Sequence, residues 1–75
     1  MKNQIRDFPN FRRWVKIRLA EEGMTQKQLA NRMGVVRPRI TEATFGKPSG
    51  KKYVEPIIRE LGGNKEDFKE LLKAI

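Results

Sequence analysis

Six glycines, at positions 23, 34, 46, 50, 62 and 63, punctuate this chain and limit what it can fold into. Between them, apolar residues recur at the three- and four-residue spacing of helices, and nothing alternates with the period of two of a half-buried strand. The helices must therefore be short. Helices of two or three turns are marginal in isolation, so tertiary packing has to hold them. Seventy-five residues allow one domain, 1–75. The expected class is all-α, with five short helices around a modest core, since a domain of this size buries roughly 60% of its unfolded surface.

The first helix is expected from Phe8 or Asn10 to Glu22, capped by Asp7 or Asn10, with Pro9 suited to its first turn. Phe11, Val15 and Leu19 share one face, flanked by Trp14. Trp14 and Ile17 do not both fit that face, so one should seal against the last helix or stand exposed at an interface. The second helix carries the clearest start signal. Thr25 and Gln28 have capping-box spacing, Met24 and Leu29 suit a hydrophobic staple, and Leu29, Ala30 and Met33 form the apolar stripe up to Gly34.

The third helix should begin near Arg37-Pro38 and end at Phe45, with Ile40, Ala43 and Thr44 on one face. The opposite face carries Pro38, Thr41, Glu42 and Phe45, edged by Arg37 and Arg39. Val36 cannot cap this helix, and Pro38 disfavours helical geometry at Arg37. Residues 46–50 read as a loop. A fourth helix is expected from about Lys52 to Leu61, with Pro56 tolerable only near its start. A fifth, capped by Asn64 with Asp67, places Phe68, Leu71, Leu72 and Ile75 on one side.

Composition removes many chemistries. The chain has no cysteine and no histidine, which excludes disulfide scaffolds, Cys/His zinc sites, thiol nucleophiles and histidine bases. The acid pairs Glu21-Glu22 and Glu66-Asp67 are adjacent on helices and do not converge, so no enzyme, cofactor or metal site is expected. No small-molecule ligand is evident. No apolar run approaches the ~20 residues of a bilayer span, and the N-terminus does not lead into a signal-peptide core. A cytoplasmic location is the expectation.

Charge points to a partner. Seventeen Lys and Arg against nine Asp and Glu give a net charge of +8. The imbalance is concentrated: residues 1–52 hold thirteen basic and four acidic side chains, and residues 53–75 hold four and five. From Met24 to Lys52 the sole acid is Glu42. A basic surface of this kind suits a polyanion.

Two short helices joined across a glycine, the second bearing arginines on its outer face, form the helix-turn-helix plan. The segment Gly23-Met24-Thr25-Gln26-Lys27-Gln28-Leu29-Ala30-Asn31-Arg32-Met33-Gly34-Val35 resembles the Cro/C1-type (Xre) family of phage repressors and mobile-element regulators. Arg37-Pro38-Arg39-Ile40-Thr41 and Gly46-Lys47 continue the likeness, and Tyr53 through Gly62 follow it more loosely. The resemblance implies a lambda repressor-like domain with its helix-turn-helix at about residues 25–45. Two departures are visible, Val36 where many members have Ser or Thr and Phe45 where a polar residue is frequent.

The resemblance also implies roles. Gln26 matches a residue that contacts backbone phosphate, where a helix N-terminus itself favours an anion. Arg37, Pro38, Arg39, Thr41 and Glu42 fall on the base-reading face. Arginine suits guanine O6 and N7, and Glu42 either accepts from cytosine N4 or holds Arg39 one turn earlier. Phe45 is open to a contact with sugar or thymine methyl, or to a place in the core under the fourth helix. Lys47, Lys51 and Lys52 resemble the phosphate-contacting segment. The implied partner is double-stranded DNA, bound by symmetric dimers on palindromic half-sites. The stripe of the last helix either supplies that dimer interface or closes the core against the first helix. Promoter regulation is the leading function. An architectural or recombination-directionality factor, or a protein-binding inhibitor using the same fold, are the alternatives.

Overall fold

In a computed structural model that describes residues 4–75, the glycine punctuation produces five α-helices and, among the described residues, no strand. These are α1 (Phe8–Glu22), α2 (Gln26–Met33), α3 (Arg37–Thr44), α4 (Val54–Glu60) and α5 (Lys69–Lys73). Two 3-10 helices, Pro48–Tyr53 and Lys65–Phe68, lead into α4 and α5. Asp7, not Asn10, caps α1, its carboxylate accepting from the Asn10 N–H at 2.9 Å. The Thr25–Gln28 capping box of α2 is complete in both directions, at 3.1 and 2.8 Å. Gly34 ends that helix at φ 71°, a left-handed conformation that costs a residue without a Cβ little.

One core joins all of the helices. Phe11, Val15 and Leu19 of α1 meet Leu29 and Ala30 of α2, Ile40 and Ala43 of α3, and Val54, Ile57 and Ile58 of α4, all buried. Ala30 sits inside the α2–α3 pair with almost no exposed surface. Ala30→Leu should therefore overpack that crossing and cost about 1–3 kcal/mol, measurable as a lower midpoint in denaturant unfolding. Equal stability would mean that α2 and α3 do not meet at this residue.

Three expectations need correction. Of the stretch 46–50 only Gly46 and Lys47 stay outside a helix, and the fourth helix does not start at Lys52. Pro48–Tyr53 winds as a 3-10 helix laid against α3, and α4 begins only at Val54, with Pro56 inside its first turn. Buried Gly50 permits this approach: a Cβ there would fall 2.7 Å from the Ala43 Cα, 2.5 Å from the Glu42 carbonyl carbon, and closer to the Ala43 amide. Nor does Asp67 help to cap the fifth helix. Asn64 Oδ1 accepts from the Glu66 N–H at 3.0 Å, opening the second 3-10 helix. The Asp67 carbonyl instead accepts from the Ile5 N–H at 2.8 Å, tying the N-terminal segment down.

Trp14 and Ile17 go separate ways. Trp14 packs edge-to-face on Phe68, with ring centroids 4.7 Å apart, while Ile17 is 50% exposed. Phe68 and Leu71 are buried, so half of the C-terminal stripe closes the core, leaving Leu72 half-buried and Ile75 at the surface.

Candidate nucleic-acid interface

The start of α3 sets the geometry of the basic face. Val36 is extended and makes no side-chain cap, and the next two residues, Arg37 and Pro38, form the first helical turn. Proline is tolerated there because a first-turn N–H has no acceptor within its own helix. Arg37 and Pro38 are exposed, beside a Val36 that is 62% exposed. The inner side of the helix is held by Ile40, Ala43 and Thr44, all buried. Gln26, the first residue of α2, faces α3: its Oε1 accepts from the Thr41 hydroxyl at 3.3 Å. Gln26 and Thr41 thus lie side by side, half-buried, at the junction of the two helices.

Arg39 and Glu42 form an ion pair at 2.9 Å, and the Ser49 hydroxyl donates to the same Glu42 oxygen, also at 2.9 Å. Of the two roles foreseen for Glu42, the structure has it holding Arg39. Arg39 first, then Ser49, keeps its carboxyl below the ordinary carboxylate range. The pair is therefore formed above that range and is lost as pH falls through the lowered value.

The lysines expected to meet phosphate divide by position. Lys47 is exposed just before the 3-10 helix, and Lys51 and Lys52 lie within it. Lys51 is half-buried, whereas Lys52 is exposed with its ammonium 5.3 Å from the Tyr53 ring. Because Gly50 seats this helix against α3, Lys51 and Lys52 are carried by the element that packs on α3, with Lys47 immediately before it.

Phe45 is not in the core. It follows α3 as its C-cap, 52% exposed, with the Arg12 guanidinium 4.2 Å from its ring centroid. A cation over an aromatic face in such a setting contributes ~0.5–1 kcal/mol. Arg12 Nη1 also donates to the Thr44 carbonyl at 3.4 Å. α3 ends at this residue and the chain turns away at Gly46 (φ 71°), so the Thr44 carbonyl is one of the last-turn carbonyls with no donor in its own helix. Reading by sequence left Arg12 out of the site. No local signal could have found it, because Arg12 and Thr44 lie 32 positions apart.

The residues brought together are thus Gln26 with Thr41, Arg39 with Glu42 and Ser49, and Arg12 with Phe45, alongside the exposed Arg37 and Pro38. Comparison of the chain with protein-family models, with curated proteins and with solved structures found no match in any of the three.

Proposed function

We propose that this chain is a sequence-specific double-stranded DNA-binding protein, a small transcriptional regulator of the lambda repressor-like helix-turn-helix type, without catalytic activity. The observation that carries this reading is the α2–α3 pair. Two eight-residue helices turn through Gly34, and the second exposes Arg37 and Pro38 on its first turn while its other face is buried. Such a helix fits a major groove about 12 Å wide. The single acid between Met24 and Lys52 is spent on Arg39, so the surrounding basic surface is open to phosphate. No described helix is long and apolar enough to cross a membrane.

Symmetric dimers on palindromic sites are the usual arrangement for this motif. The apolar stripe of α5 lends such a dimer little, because Phe68 and Leu71 are already inside the monomer.

The deciding experiment is selection of bound sequences from a random duplex pool, followed by sequencing. An enriched motif supports the reading, and no retention of any duplex at low salt overturns it. Within that motif, Arg37→Lys should relax the preference at one base pair of each half-site and leave low-salt, non-specific binding nearly unchanged. A guanine contact is planar and two-pointed, which lysine copies poorly. If both Arg37→Lys and Arg37→Ala leave the motif intact, Arg37 meets backbone, and sequence is read by Glu42, Phe45 or DNA shape.

A further inference from the structure

Three arginines are half-buried: Arg12, Arg18 and Arg39. Two of them face carboxylates, Arg18 between Glu21 and Glu22 and Arg39 beside Glu42. Arg12 is the exception. Among the described residues no carboxylate lies within ion-pair distance of it, and its partners are the Phe45 ring and the Thr44 carbonyl. Neither partner neutralises the charge. A guanidinium has five N–H donors in a fixed fork, and one bond to a carbonyl leaves most of them unused.

The position of the ring gives this unspent charge a direction. At 100° per residue, Phe45 falls within about 20° of Pro38 around the α3 axis and roughly 10 Å further along it. The outward face of α3 therefore runs from Arg37 and Pro38 at its start to Phe45 at its end, and Arg12 stands over that far end. The first turns of α1 are clamped there. The Phe8 ring lies against Gly46, where a Cβ would come within 2.6 Å of it, so Arg12 is carried by a helix seated on the end of α3.

We propose that Arg12 grips a DNA backbone phosphate and that Phe45 is its positioning residue, making α1 part of the interface. This rests on the DNA-binding reading above. The ring holds the guanidinium in place before DNA arrives, so less side-chain freedom is lost on contact. A phosphate oxygen then takes the donors that Thr44 leaves free.

The test is equilibrium binding to the selected duplex over a range of salt, for the wild type, Arg12→Gln, Arg12→Lys, Phe45→Leu, and Arg12→Gln with Phe45→Leu. Arg12→Gln should reduce the slope of log K against log salt by about 0.9 and weaken binding roughly tenfold near 0.1 M. Arg12→Lys keeps the charge and should keep the slope. Phe45→Leu keeps apolar bulk without the ring face, and should weaken binding several-fold in the wild type but scarcely at all once Arg12 is Gln. An unchanged slope in Arg12→Gln overturns the proposal while leaving DNA binding itself in place. A slope lost equally in the Lys and Gln variants also overturns it, since capping of Thr44 would then be the role of Arg12. A wild type that no duplex retains overturns both readings.

Discussion

Gly50→Ala should lower the thermal midpoint by on the order of 15 °C. The cause is not strained backbone at Gly50 but a collision with its neighbour. The new methyl would fall 2.5 Å from the Glu42 carbonyl carbon and 2.7 Å from the Ala43 Cα. Both are main-chain atoms in the last turns of α3, so no rotamer change relieves the clash. The 3-10 helix Pro48–Tyr53 must move away from α3 or α3 must bend. Overpacking of this kind costs about 3 kcal/mol at its upper range. In a domain of 60–100 residues each kcal/mol shifts the midpoint by roughly 4–8 °C. Circular dichroism melting checks it, and a midpoint within a few degrees of the wild type would mean that the two elements are not in contact at Gly50.

Replacing Lys47, Lys51 and Lys52 together with Ala should weaken binding to every duplex, specific or not, by about 10²–10³-fold near 0.1 M salt. Each phosphate neutralised releases close to one counterion, which contributes roughly tenfold at that ionic strength. The slope of log K against log salt should fall by up to about 2.7, while the sequence motif selected stays the same. Lys51 is half-buried, so a loss of slope of about 1.8 would mean that two of the three lysines meet phosphate. An unchanged slope removes this segment from the interface.

What could be read from the chain in advance was whatever depends on neighbours in sequence. Thr25 with Gln28, Gly34 after Met33, and the Phe11–Val15–Leu19 spacing are local signals, and each appears in the structure as expected. What could not be read depends on which segment approaches which. Gly50 looks like any loop glycine until α3 lies against it. Pro48 breaks an α-helix but permits a 3-10 turn, and the short Lys65–Phe68 turn likewise precedes α5 where a continuous helix was expected. In the candidate site, the exposure of Arg37 and Pro38 followed from the helical period, because Ile40 and Ala43 set the buried side. The partners did not follow. Glu42 had two open roles until Ser49 arrived from the next element, and Arg12 is 33 positions from Phe45, beyond any periodicity argument.

Trp14 has a practical consequence for how unfolding of this chain is observed. It is the single tryptophan, and its indole rests on Phe68 and lies close against Gly63, where a Cβ would be 2.8 Å from the ring. Its fluorescence therefore senses above all whether the C-terminal segment is docked on α1. Far-UV ellipticity weighs every helix instead. The two signals trace one curve only when the whole domain melts as a single unit. An emission change that runs ahead of the ellipticity marks α5 leaving first, with the basic face still assembled.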